Sequence, residues 1–531
     1  MIRIEWPPMP APATAVPVVE SIDPATGDVI ARFDATPPGE MPEIFARARR
    51  AQAEWAAQPL GARCALLRRL REALFARHQE VAGVITREVG KPRVEALFGD
   101  VLVALDSTTY YADHAAEMLR AERVPHHNLA VKAKSGWLRY EPYGVIGVIS
   151  PWNYPLAIPV GQIVPAVVAG NAVVLKPSEL TPWCGTLIGE LFAQAGFPRD
   201  LLQVVQGGGE VGAALVETGP DKMIFTGSVA TGKKVAEACA RRLIPSVLEL
   251  GGKDAMIVLA DADLEIASSA AVWGGFTNCG QACLSVERIY VEQGIAERFI
   301  ERCVAKTRLL KLGPGSDPDT EVGPMIRPQQ VDRVEEQLRD AITRGARVLM
   351  GGRRRPDLGP CYFEPTVVVD VDHSMRIMRE ETFGPVLAVR SVANAEEAVA
   401  LANDSPFGLS ASVWTRDARR GQQIAAKLRA GSVMVNDVAS YFAIPEAPHG
   451  GCGASGWGRT HSRLGLMEMV QVKYIDVDRL QRRPKSWWYG YDERLGKAAD
   501  RFLGLLFAPN WGARLRNARE AMRVVFRGHR I

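Results

Sequence analysis

Cysteine is scarce in this chain: eight residues among 531, too few for the disulfide frameworks that staple small secreted domains. No C-x-x-C or His pair is at hand to complete a tetrahedral ligand set, so no metal site is expected. Long apolar runs are missing as well, and none approaches the roughly 18–20 residues that cross a bilayer. The first twenty residues, MIRIEWPPMPAPATAVPVVE, are Pro-rich and have no apolar signal core, so no export signal is read there. There is no internal repeat, and no low-complexity segment beyond that Pro-rich start. These absences point to a reducing, cytoplasmic compartment in which any cysteine can be a free thiol.

What is present is ordinary globular composition, 47% hydrophobic and 23% charged, which excludes global disorder and a collagen-like fibre. The length exceeds one compact core and implies two or three domains. The net charge of +4 is unevenly spread: Asp476–Ile531 holds 13 Lys and Arg against 6 Asp and Glu, a local +7, so the first 475 residues carry −3.

Helical spacing of apolar residues predicts helices over 41–58 (Ile44, Ala48, Ala51, Trp55) and 62–89 (Leu66, Leu70, Leu74). From 143 onward short β-branched runs alternate with helix-length segments: YGVIGVIS, NAVVLK, LLQVV, KMIFTG, PSVLEL and DAMIVL. A second series follows Cys283: RIYVEQ, ARVLMGG, FEPTVVVDV, GPVLAVRS, LSASVWT and SVMVND. This alternation predicts an α/β protein of two doubly wound units.

Five short segments are candidates for chemistry. Gly207–Gly212 fits G-x-G-x-x-G but lacks an acidic residue about twenty positions on, so a Gly-rich strand-to-helix turn is the better reading. In FTGSVATGKK, Gly227 and Ser228 stand where a strand runs into a helix, a place for a phosphate or for an ordinary N-cap. In FTNCGQACLS, Cys279 and Cys283 leave a reactive thiolate as the surviving reading once metal and disulfide are set aside. LELGGK places Glu249 at the end of an apolar strand, where burial raises a carboxylate's pKa and suits it to act as a general base. PWNYP sets Asn153 between two prolines, and its amide can donate to an oxyanion.

Together these segments resemble the aldehyde dehydrogenase superfamily over roughly residues 20–475. The resemblance rests on PWNYP, KPSE (176–179), FTGS, LELGGK, FTNCGQAC, EETFGP (380–385), GSVMVN (431–436) and PHGGCGASGWGR (448–459), in family order. It implies a Rossmann-like cofactor domain over 18–123 and 143–251 and a thiol-bearing catalytic domain over 252–467. Bridging, oligomerising segments are then expected at 124–142 and 468–480, forming a homodimer or a dimer of dimers.

The implied mechanism has Cys283 attack the aldehyde, Asn153 and the Cys283 N–H hold the oxyanion, hydride pass to the nicotinamide, and Glu249 activate the water that hydrolyses the thioester. Trp152 is expected on the adenosine side of the cofactor, Lys176 and Glu179 at the adenosine ribose, and Gly227 and Ser228 at the pyrophosphate. Glu381 is expected at the nicotinamide ribose and Phe383 beside its ring. The Glu179 carboxylate favours NAD over NADP. Rivals on the same fold are a semialdehyde dehydrogenase, a CoA-acylating enzyme and a catalytically silent scaffold.

Two departures stand out. His449 and Gly453 occupy places where relatives usually carry an aromatic and a Lys. Gly161 stands where they often carry a bulky aromatic, which predicts a wider, apolar tunnel for long aldehydes unless another side chain fills the gap.

Relatives mostly stop near residue 475. Here 481–531 reads as a basic, amphipathic extension. From Trp511, one face holds Leu515, Ala518, Met522, Val525 and Phe526, and the next holds Arg516, Arg519, Arg523, Arg527 and Arg530. Such a helix suits an anionic membrane surface or the acidic body of the protein itself; nucleic acid is disfavoured for want of a supporting fold.

Overall fold

The computed structural model describes residues 17–128, 131–132, 134–479, 485 and 487–525, apart from the side chains of residues 520 and 522–525. The expectations placed on Met522, Arg523, Val525, Phe526, Arg527 and Arg530 therefore fall outside the described side chains. The chain divides into two compact units, Met1–Met118 with Pro142–Gln471, and Leu119–Glu141 with Val472–Ile531.

The first unit begins with an antiparallel pair, β1 (Val18–Ile22) and β2 (Val29–Asp34). Helices follow at Met41–Ala56, Leu60–Ala76 and His78–Val89. The expected single helix over 62–89 is thus two, parted at Arg77, whose φ of −105° and ψ of 10° leave the helical region. Of the residues named by that spacing, Ile44, Ala48, Trp55, Leu70 and Leu74 are buried, and Ala51 and Leu66 are half-buried.

Two sheets then form from the β-branched runs. The first takes β5 (Val145–Ile149), β6 (Ala172–Lys176), β7 (Leu202–Val204), β8 (Lys222–Thr226) and β9 (Ser246–Glu249), all parallel, in the order β9-β8-β5-β6-β7. β5, β6 and β8 are buried almost throughout, as strands covered by helices on both faces must be. One covering helix, Ala157–Ala169, is apolar all round and wholly buried.

The second sheet runs β12-β13-β14-β11-β10-β15-β16. Its members are β10 (Asp254–Val258), β11 (Val286–Glu292), β12 (Arg347–Met350), β13 (Thr366–Val369), β14 (Val386–Val392), β15 (Ser410–Trp414) and β16 (Ser432–Val435), parallel except for the edge pair β12–β13. Two details depart from the linear reading of the strand series. DAMIVL, grouped with the first series, is β10 at the heart of the second sheet. Gly456–Trp457 returns as β17, antiparallel to β9, and closes the edge of the first sheet.

In the second unit, β3 (Glu122–Val124), β4 (Lys134–Pro142) and β18 (Val470–Asp478) make a three-stranded sheet in the order β18-β4-β3. Two helices follow, Glu493–Phe507 and Trp511–Val525, packed on each other. Asp492 caps the first by accepting the Leu495 N–H at 2.7 Å, and Asn510 accepts the Ala513 N–H at 2.9 Å. The short apolar patch at 502–508 is the end of the first of these helices. Leu503, Phe507, Trp511 and Leu515 all remain exposed.

Candidate active site

Parallel sheets place ligands at the carboxyl ends of their strands, where the winding reverses. In the first sheet that point lies between β5 and β8. Asn153 follows β5, Gly227 and Ser228 follow β8, and Glu249 ends β9. The chain then passes through Gly251 and Gly252 straight into β10. A Cβ at Gly251 would come within 2.5 Å of Glu381 Oε1, so only glycine leaves that carboxylate its place.

The thiol loop is strained and braced. After the helix Leu264–Phe276, Asn278 and Cys279 adopt φ of 51° and 56°, a region disfavoured for residues with a Cβ. Glu95 holds the turn by accepting the Thr277 hydroxyl at 2.9 Å and the Asn278 N–H at 2.8 Å. Asn278 Nδ2 donates to the carbonyls of Asn153 and Gln281, both at 3.1 Å. The result separates the two cysteines. Cys279 is buried in the core of the second sheet, whereas Cys283 is only half-buried and opens on two cavities. Burial and the carboxylates of Asp254, Glu249 and Glu381 push the Cys283 thiol well up.

Asn153 lies against this loop, its Nδ2 donating to Gln281 O at 3.1 Å. An amide has two N–H donors, so one remains for an oxyanion. The Asn153 backbone carbonyl accepts from Lys91 Nζ at 2.7 Å, and Lys91 also pairs with Asp100 at 2.9 Å with both side chains fully buried. Asp100 in turn accepts the N–H groups of Leu156 and Ala157. Neither Lys91 nor Asp100 was singled out from sequence; the GKP turn and a carboxylate nine residues later carry no recognisable signal.

Glu249 is 3% exposed, and neither of its oxygens has a hydrogen-bond partner. Burial raises its pKa strongly; Arg459 opposes this and Glu468 adds to it. His449 Nε2 stands 3.5 Å from Glu249 Oε2, and Tyr441 Oη is 3.0 Å from the other ring nitrogen. The wide gap expected at Gly161 is corrected by its neighbour: a Cβ there would lie 3.1 Å from Nε2 of His461. His461, His449 and Phe442 form an aromatic cluster with centroids 4.9–5.9 Å apart.

Outward from Cys283 a cavity of about 380 Å³ opens, walled by Val94, Phe98, Leu102, Val103, Tyr154, Ile158, Trp273, Leu284 and Phe442. None of its lining residues is Lys, Arg or His. Its one carboxyl is Glu95, which burial pushes up to about 7 against the Asn278 N–H, the Lys91 charge and the Thr277 hydroxyl. Val94, Phe98, Leu102 and Trp273 are also exposed at the surface, as an apolar rim.

On the opposite side, Glu381 accepts the Gly252 N–H at 3.0 Å, and burial together with Glu287 pushes its pKa up to about 7. Glu287 accepts the N–H groups of Thr382 and Phe383 and pairs with buried Lys253. That anchors Phe383 in a left-handed conformation, φ 53°. The Trp152 ring meets Phe383 edge-on at 5.5 Å. Trp152 and Phe383, expected near opposite ends of the cofactor, therefore share one aromatic patch. Lys176 Nζ lies 3.5 Å from Glu179 Oε2, with Lys176 buried and Glu179 half-exposed. Ser228 caps the helix Val229–Arg241, its Oγ accepting the Thr231 N–H at 3.3 Å. Gly207–Gly212 forms a strand-to-helix turn in which Glu210 folds back onto the Gly208 N–H.

Comparison with known proteins adds an independent finding. Residues 12–475 match the model of the "Aldehyde dehydrogenase family". A Mycobacterium ulcerans protein named "Putative succinate-semialdehyde dehydrogenase", NADP(+) type, is 41% identical over 442 residues, covering 83% of this chain and 85% of its own. The "4,4'-diapolycopene aldehyde oxidase" of a Methylomonas species is 39% identical over 475 residues, covering 89% and 88%. Among solved structures, an NAD-dependent aldehyde dehydrogenase from Sinorhizobium meliloti superposes with a TM-score of 0.85 at 35% identity, covering 89% of this chain and 93% of that one.

Proposed function

The chain belongs to the aldehyde dehydrogenase family and is an NAD(P)-dependent aldehyde dehydrogenase, and from that premise we propose that it oxidises a long, apolar aldehyde to its carboxylic acid. The observation that carries this reading is the outer cavity. Its roughly 380 Å³ are walled by aliphatic and aromatic side chains and end at Cys283. A carboxylate-bearing semialdehyde would enter with no cation to pair it and with Glu95 in the wall, a costly arrangement for a buried charge. Of the two relatives, the one named for diapolycopene aldehyde therefore suits this cavity better than the one named for succinate semialdehyde.

The residues take the following parts. Cys283 gives its thiol proton to water in the adjoining cavity, and the thiolate attacks the aldehyde carbon, forming a C–S bond, while the free N–H of the Asn153 amide and the Cys283 backbone N–H hold the oxyanion. NAD(P)+, when bound, supplies the hydride acceptor. A water then attacks the acyl carbon as Glu249 takes its proton, and the C–S bond breaks to release the acid and restore the thiolate. Glu249, the base, also argues against the CoA-acylating alternative, and the complete set of Cys283, Asn153 and Glu249 argues against a silent scaffold.

The residues present fit the cofactor. Trp152 and Phe383 offer one aromatic patch for the nicotinamide ring, and Glu381 an oriented acceptor for its ribose. Gly227 and Ser228 open a thirteen-residue helix whose N–H groups suit the pyrophosphate. Lys176 and Glu179 would hold the adenosine ribose. Glu179 favours NAD, although the Lys176 ammonium 3.5 Å away offsets much of its repulsion of a 2′-phosphate. A kinetic panel of straight-chain aldehydes of rising length, plus succinate semialdehyde, with NAD and with NADP, tests both preferences. A kcat/KM highest for the semialdehyde would overturn the apolar reading.

The second unit supports two further readings. The sheet β18-β4-β3 is the surface for a homodimer or a dimer of dimers, to be checked by light scattering. The exposed Leu503, Phe507, Trp511 and Leu515 beside Arg514, Arg516 and Arg519 suit an anionic membrane surface; no helix among the described residues is long and apolar enough to cross a membrane. Co-sedimentation with phosphatidylserine vesicles is expected for the wild type and lost in Trp511→Asp/Leu515→Asp. Equal pelleting of both would overturn that reading.

A further inference from the structure

Inward from Cys283 lies a second, much smaller cavity of about 20 Å³, bounded by Glu249, Gln162, His449, Thr460 and His461 among others. A water needs roughly 10–15 Å³ of such space, so there is room for about one. Its walls are rich in polar atoms with no protein partner: Glu249 Oε1 and Oε2, Gln162 Oε1 and His461 Nδ1. The three side chains that own them are 2–3% exposed. Buried polar atoms are nearly always hydrogen-bonded, to protein or to ordered water.

His461 is held where it is by strain and by packing. It and Ser462 both adopt positive φ, 59° and 56°, conformations that persist only where the surroundings enforce them. Here Ser462 N–H donates to Pro445 O at 2.7 Å, and the buried Tyr111 hydroxyl donates to Ser462 O at 3.0 Å. The Phe442 ring packs 4.9 Å from the imidazole, and Gly161 is the residue whose missing side chain makes room for it. His449 is fixed by Tyr441, and its 3.5 Å separation from Glu249 is beyond hydrogen-bond length, leaving the carboxylate without a direct partner.

We propose that this inner cavity seats the hydrolytic water and that His461 is a positioning residue that orders the water beside Glu249, with Gly161 conserving the space for the imidazole. Burial holds the His461 pKa down to about 4, and burial with His461 and Arg459 holds His449 down to about 3. Each neutral ring therefore keeps one N–H and one acceptor nitrogen, so His461 can share a hydrogen bond with the water while Glu249 takes its proton. His461 itself undergoes no covalent or redox change. The proposal rests on the reading of Glu249 as the base.

The test is stopped-flow NADH formation with decanal and NAD, comparing wild type, His461→Leu, His461→Gln, Gly161→Ala and Glu249→Gln. In His461→Leu, steady turnover is expected to fall about 10- to 100-fold, less than the roughly 10²–10⁴-fold lost with a group that itself transfers the proton, because His461 only positions the water. A rapid burst of NADH, equal to the folded sites, should appear at the wild-type rate, because thioester formation is spared. His461→Gln, which keeps a donor and an acceptor, should regain part of the turnover. Gly161→Ala, whose Cβ crowds His461, should show a weaker form of the same split. Glu249→Gln is the reference and should burst and then stall. His461→Leu turnover within about twofold of wild type, or a burst slowed in parallel with turnover, would overturn the role of His461. Absence of a burst in Glu249→Gln would instead overturn the base assignment, so the two failures are distinguishable.

Discussion

Two cavities meet at Cys283 and are built from opposite materials. The outer one is wide, aliphatic and aromatic, and contains no cationic side chain among its lining residues. The inner one is about the size of a water molecule, and beside Ile158, Leu250 and Phe442 it is lined by a carboxylate, an amide, two threonines and two imidazoles. The difference teaches where selectivity and chemistry reside. Apolar walls reward each buried methylene but bind ground and transition states alike, so they set the choice of aldehyde. Buried polar groups that wait unpartnered are the ones whose interactions change as charge moves, and they set turnover.

Removing the thiol at which the two cavities meet should have the largest effect: Cys283→Ala is expected to abolish aldehyde-dependent NADH formation with every substrate, read by absorbance. The wall behind Asn153 comes next. Lys91→Met strands Asp100 as an unpaired buried charge and should lower stability by about 3–5 kcal/mol, measured as a fall in the urea midpoint.

The outer cavity alone is then tested by chain length. Each methylene that finds apolar wall contributes about 0.8 kcal/mol, or about fourfold in kcat/KM, until the cavity is filled. Leu102→Arg should blunt that rise and improve a carboxylate-bearing aldehyde.

The smallest effect is on pH. Glu95, raised to about 7 chiefly by burial, is neutral below that value and charged above it, so the outer wall becomes less apolar as pH rises. KM for an apolar aldehyde should rise by about threefold from pH 6 to 8. Glu95→Gln should flatten the profile, whereas a KM that falls with pH would break the assignment.

Much of the fold was legible because strand formation depends on short-range pattern. Each β-branched run from YGVIGVIS to SVMVND overlaps a strand. The strand pattern alone runs DAMIVL on from the first series, whereas the resemblance put it in the 252–467 domain; sheet membership depends on pairing partners far along the chain, and β10 pairs with β11 and β15 rather than with β9. The same holds for β17, two residues whose pairing with β9 bridges some two hundred positions. Within the candidate site, Cys283, Glu249 and Asn153 were singled out because they sit in short motifs that together, in order, resemble the family; each alone was ambiguous. Lys91, Asp100 and Glu95 were not, since their importance comes from touching Asn153 and the thiol loop across the fold.

The scarcity of cysteine, the uneven charge and the order of short motifs were determined by the sequence alone, because each is a property of residues taken singly or near one another. Which of two neighbouring thiols opens on the cavities, and whether Gly161 leaves an opening, were decided by the tertiary structure. Cys279 and Cys283 are separated by a left-handed turn braced from Glu95, and the space beside Gly161 is taken by an imidazole three hundred residues away. Close packing admits only one occupant per volume, and the identity of that occupant is set by where the chain returns.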